Sequence, residues 1–137
     1  MSILIRVAIA TSVAASLALA QSLSFETYRT KVEPVFLKKR PGHARCVVCH
    51  SVSHSAFHLQ PLDPGATTWT EAQSRENFKS VKTLVNVKNP MKSPILTHPL
   101  APDAGGDGQH GGGEQFKTKD DPDWKTIADW VRSAAVK

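Results

Sequence analysis

The chain has 137 residues, 17 Lys and Arg against 12 Asp and Glu for a formal net charge of +5, and only two cysteines. That length implies one small domain, and two cysteines sitting in a single turn exclude a disulfide-stapled scaffold, which needs cysteines far apart in sequence. The cations are not interleaved with aromatic residues, so a nucleic-acid interface is not indicated.

Residues 1–20, MSILIRVAIATSVAASLALA, carry one early cation at Arg6, an apolar run from Val7 broken only by small hydroxyl residues, and the A-x-A triplet Ala18-Leu19-Ala20. This is the pattern of a cleavable secretory signal peptide. The run is too short and too rich in Ala, Ser and Thr for a membrane anchor, which needs about 18 or more strongly apolar residues. The expected mature domain is residues 21–137, periplasmic or otherwise exported, with no stable membrane insertion after cleavage.

Residues 24–37, SFETYRTKVEPVFL, predict a first helix: Phe25, Tyr28, Val32, Val35 and Phe36 recur at helical spacing, Ser24 is placed to cap, and Glu26 falls in the first turn. Pro34 is expected to end or kink it.

The next stretch, RCVVCHSVSH at residues 45–54, carries the chemistry. A disulfide between Cys46 and Cys49 closes a tiny loop and stabilises little. A redox CxxC pair belongs after a strand in a βαβ pattern, and none surrounds this one. Zinc competes better, because His50, His54 and His58 stand four residues apart beside two thiols, yet SVSHSAFH lacks the caps of a sustained helix that would align them. C-x-x-C-H is the attachment sequence of c-type haem: two thiols bond the macrocycle covalently and the adjacent imidazole is aimed at the iron. Behind an export signal this reading leads, with Cys46 and Cys49 as covalent anchors of one haem c per chain and His50 as the proximal axial ligand.

Residues 70–87 open with Thr70 and Gln73 as a capping box and continue with Phe78, Val81, Leu84 and Val85 on one face, predicting a second helix. Near the C-terminus Asp121 is placed to cap and Pro122 to take the first helical position, with Trp124, Ile127, Ala128 and Val131 at core spacing. Trp124, Ile127 and Val131 are expected to pack near Phe25 and Tyr28. No alternating strand pattern appears, so the expected fold is all-α: three main helices with long Pro- and Gly-rich loops around one buried macrocycle, which supplies part of the apolar centre that so short a chain lacks.

An N-terminal helix, CVVCH, a middle helix, a loop and an aromatic C-terminal helix resemble the class I cytochrome c architecture over nearly the whole mature chain. More narrowly, VEPVFLKK, SPILTHPLAP, GGDGQHGGG and DDPDWKTIADWV are similar to the exported single-haem cytochrome c proteins of Acidobacteria and Planctomycetes. The resemblance implies electron transfer, without bond-making chemistry of its own, between redox partner proteins.

The sixth ligand departs from the commonest class I pattern, a methionine in an M-P-P loop before the last helix. The corresponding stretch reads QHGGGEQF and offers His110. Its flanking glycines permit the close backbone approach that a loop crossing a flat macrocycle requires. His98, in ILTHPL, and Met91, in KNPMKSP, are the alternatives, and His43, His54 and His58 read as surface or loop residues. Lys38, Lys39, Arg40 and Arg45 crowd the approach to the haem motif and would steer a partner with an acidic face. Two other functions stay open: a haem enzyme or gas-binding sensor with an open distal site, and a zinc-binding structural module of Cys46, Cys49, His50 and His54.

Overall fold

Residues 22–134 are described by a computed structural model; the expected signal peptide, residues 1–20, lies outside the described residues. Their order is α1 (residues 25–37), α2 (Cys46–His50), α3 (Glu71–Lys82), α4 (Pro94–Thr97) and α5 (Pro122–Arg132), with short 3₁₀ turns at Pro90–Lys92 and Pro102–Ala104. The all-helical expectation and its three main helices are seen. Among the described residues the only β pairing is an isolated parallel bridge, Leu100 with Phe116, and no helix is long and apolar enough to cross a membrane.

Helix α1 starts where Ser24 Oγ accepts the Thr27 N–H at 3.1 Å. It does not stop at Pro34. A proline ring collides with the carbonyl four residues back in a regular helix, and here the helix widens into a π segment over Tyr28–Val32, closed by the Glu33 N–H on Tyr28 O, before resuming as Glu33–Leu37. The wider turn admits the ring, so Val35 and Phe36 stay on the buried face.

Helix α3 has the expected capping box in full: Thr70 Oγ1 accepts the Gln73 N–H, and Gln73 Oε1 accepts the Thr70 N–H. In α5, Asp121 accepts the N–H groups of Asp123 and Trp124 at 2.8 and 3.2 Å, and Pro122 stands in the first turn.

The three main helices meet in an aromatic cluster. Tyr28 lies 5.2 Å from Phe78 of α3 and 5.6 Å from Trp130 of α5, ring centre to ring centre. The residue of α5 that packs on Tyr28 is thus Trp130, whereas Trp124 is buried in the first turn of the helix and donates from Nε1 to Leu96 O at 3.1 Å. The reason is the width of the apolar arc: Trp124, Ile127, Ala128, Trp130 and Val131 are all buried, so α5 is covered on two adjoining sides and offers a different tryptophan to each.

Candidate cofactor site

Helix α2 is one turn long and holds the whole CVVCH sequence, with Val47 buried and Cys49 exposed. Its end is fixed by the chain folding straight back: Leu59 N–H donates to His50 O at 2.9 Å. That return brings Phe57 O within 2.7 Å of His50 Nδ1, with the two rings 4.3 Å apart. A carbonyl only accepts, so Nδ1 carries the proton and the lone pair of the neutral ring is on Nε2. Burial is the main influence lowering the His50 pKa, opposed by the Phe57 carbonyl and aided by His110 and His58, so the ring is neutral at neutral pH. Burial likewise pushes the Cys46 thiol up to about 11.

The glycine loop lies opposite. Its base is tied by the Leu100–Phe116 bridge, in which Ala101 N–H donates to Phe116 O at 2.9 Å and Phe116 N–H to Pro99 O at 3.0 Å. Gly106 approaches so closely that a Cβ there would stand 1.8 Å from Leu100 O, and no larger residue fits. Further along, Gly113, at φ +79°, turns its carbonyl onto His110 Nδ1 at 2.6 Å. His110 therefore repeats the arrangement of His50, with Nδ1 protonated against a backbone carbonyl and Nε2 free. An outer hydrogen bond of this kind orients most metal-binding histidines. The two ring centres are 6.1 Å apart, with 20° between the ring planes.

Between them opens a cavity of about 580 Å³. Cys46, Cys49, His50, His98 and His110 line it, and Phe36, Ile95, Phe116 and Ile127 are among its apolar walls. Both thiols and three of the imidazoles named from the sequence thus share one space. Met91 is not among the lining residues; it sits on the Pro90–Lys92 turn and is 37% exposed. His43, His54 and His58 do not line the cavity either. No group of three or more His, Cys, Asp or Glu side chains among the described residues is placed to hold a metal ion, so Cys46, Cys49, His50 and His54 do not converge as a zinc set.

His98 occupies the rim and is half-exposed, with Nδ1 on the Asp107 carboxylate. Burial pushes the Asp107 pKa up, but the bonds from the Gln109 N–H, Thr97 and His98 together outweigh it and hold the carboxyl below the usual aspartate value. Sequence reasoning missed Phe57, Asp107 and Gly113. Two of them act through backbone carbonyls, which leave no side-chain signature; Asp107 had one available signal, an acidic residue in the loop that returns to the ILTHPL turn.

Compared with known proteins, the chain matches no protein-family model, no curated protein and no solved structure.

Proposed function

We propose that this chain is an exported c-type cytochrome of class I-like fold, an electron carrier and not an enzyme, with one haem attached through Cys46 and Cys49 and held axially by His50 and His110. The carrying observation is the pair of imidazoles, each anchored at Nδ1 by a backbone carbonyl and set 6.1 Å apart across a cavity that both thiols line. A metal–imidazole bond of about 2 Å on each side, with about 1 Å more from nitrogen to ring centre, gives a separation of about 6 Å. That separation leaves room between the rings for one metal ion, which the two Nε2 atoms would hold. The cavity is also of cofactor size, inside the range of about 300–1,000 Å³ for such sites, and its walls are apolar.

Haem bound there supplies one-electron chemistry, and bis-histidine ligation favours a lower potential than a thioether gives. The residues of this chain attach it, orient both imidazoles and exclude water with Phe36, Ile95, Phe116 and Ile127. Steering of a partner with an acidic face rests on Lys39 and Arg45, since Lys38 and Arg40 are engaged by Asp121 and Asp123; Arg45 lines the cavity beside Cys46.

The test is the visible spectrum of the exported protein followed by extraction with acidified organic solvent. Red protein whose haem stays with the polypeptide is expected. Haem that leaves into the solvent overturns covalent attachment, and colourless protein overturns the whole reading.

A further inference from the structure

Asp107 touches both arms of the distal side. Its Oδ2 accepts from His98 Nδ1 and, at 3.0 Å, from Thr97 Oγ1; its Oδ1 accepts the Gln109 N–H at 3.0 Å; its own N–H donates to Thr97 O at 3.2 Å. Gln109 immediately precedes His110, and Gln109, His98 and His110 all line the cavity. One carboxylate oxygen therefore holds His98 and the other holds the arm that carries His110.

Two imidazoles on one cavity, each with Nδ1 engaged and Nε2 free, compete for the same position opposite His50. Their internal anchors do not separate them, because His110 is fixed to Gly113 within its own loop, and that says nothing of where the loop sits against α4. The bonds that join loop to α4 at this end run through Asp107. We infer that Asp107 is the positioning residue of the distal side: it sets His110 across from His50 and keeps His98 in reserve. The identity of the axial ligand rests on the cytochrome reading; the tie between the two histidines does not.

The two simplest substitutions behave differently. Asp107→Ala releases the half-exposed His98 ring and the His110 arm together. Asp107→Asn has one oxygen and one amino group. With its oxygen on the Gln109 N–H, the amino group faces His98 Nδ1, so His98 must carry its proton on Nε2 and loses the lone pair that would ligate. Asparagine thus preserves His110 and silences His98.

The experiment uses the full chain, exported with haem attached, and reads the low-spin electron paramagnetic resonance of the oxidised iron. One set of signals is expected for the wild type and for Asp107→Asn, two sets for Asp107→Ala, and a return to one in Asp107→Ala/His98→Ala. A single wild-type set in Asp107→Ala, or two sets in Asp107→Asn, overturns the inference. Imidazole ¹⁵N spectra read the tie directly, with or without haem: His98 protonated at Nδ1 in the wild type and at Nε2 in Asp107→Asn supports it, and an unchanged tautomer overturns it. This second readout decides the matter if Asp107→Ala does not fold. Wild-type protein that lacks haem overturns the ligand assignment, whereas the tautomer change would still stand for the tie.

Discussion

Arg40 and Asp121 form an ion pair at 3.0 Å between residues 81 positions apart, the first on the loop leading into α2 and the second capping α5. Arg40 also reaches Asp123 and lies over the Phe116 ring, 4.4 Å from its centre. A cation that the sequence offers for partner steering is thus also a clamp, holding the approach to CVVCH against the last helix and the base of the glycine loop. Exposed ion pairs are worth at most about 1 kcal/mol and removal of one partner from a buried pair costs about 3–5 kcal/mol. The Arg40 side chain is 13% exposed. Arg40→Ala should therefore cost about 2–3 kcal/mol in urea unfolding, on the scale set by those two limits, and Arg40→Lys part of it, because the ammonium cannot bridge both carboxylates as a planar fork does. A loss no larger than an exposed pair gives would return Arg40 to the surface.

The clamp also has a pH signature. Burial pushes the Asp121 pKa up, but the bonds from Arg40 and the Trp124 and Asp123 N–H groups hold it below the ordinary 3.8. Between those two values the unfolded chain binds more protons than the folded one, so this contribution is complete above pH 3.8 and is lost as the pH falls through the lower, folded value. Acid unfolding of Arg40→Ala should show a shallower loss over that interval than the wild type.

The packing of α5 yields a second prediction. Trp130 and Tyr28 are in contact, and aromatic pairs couple by about 0.5–1.5 kcal/mol beyond area burial. Each of Trp124→Ala and Trp130→Ala should cost about 3–5 kcal/mol. A double-mutant cycle separates them, using Tyr28→Leu to keep a full side chain in place. Coupling to Tyr28 is expected from Trp130 and none from Trp124, and the reverse result would restore the packing anticipated from the sequence.

What the sequence made legible is what local chemistry writes into it. The Thr70–Gln73 box, the Asp121 cap and Pro122 act within one helical turn, so their residue types at fixed offsets suffice. Passage of α1 through Pro34 was not, because it depends on a widened turn that only tertiary packing rewards. Nor was the choice of Trp130 for Tyr28, since spacing gives a stripe but not which neighbour covers each edge of it. The orientation of His50 and His110 is set by carbonyls of Phe57 and Gly113, and a carbonyl is present at every residue.

The π turn of α1 buries a carboxyl, and this gives a third prediction. Glu33 is 5% exposed and accepts from Ser74 Oγ at 2.7 Å, while its second oxygen and the Tyr28 hydroxyl, both buried, stand close enough to influence each other without completing a well-aligned hydrogen bond. Burial raises the Glu33 pKa above its ordinary 4.5, against the lowering effects of Ser74, Arg29 and Tyr28. The folded chain then binds more protons than the unfolded one above pH 4.5, so stability falls as the pH rises through the folded value. Glu33→Gln removes that loss and supplies an amide donor for Tyr28 Oη, and should stabilise the protein at pH 7 by about 1 kcal/mol, the scale of one buried hydrogen bond. Destabilisation by glutamine at pH 7, with the wild type gaining stability as pH rises, would mean the carboxylate is held charged.

The distal ligand gives the sharpest division. His110 faces His50, His98 is held on Asp107, and Met91 lies outside the cavity lining. For the haem-loaded protein, His110→Ala should open the iron to carbon monoxide and Met91→Ala should not, with the oxidised wild type lacking the weak band of an iron–sulfur bond near the red edge of the visible spectrum. His98→Ala should leave the spectrum unchanged. Because a thioether is the poorer donor and favours the ferrous state, histidine ligation in the haem-loaded protein would give a low potential. If His98→Ala alone opened the site while His110→Ala was silent, the ligand would move to α4's end and the glycine loop would be a lid, with the low potential retained. If Met91→Ala alone opened it, the segment around Pro90–Lys92 would have to swing onto the cavity, and both the bis-histidine site and its low potential would fall.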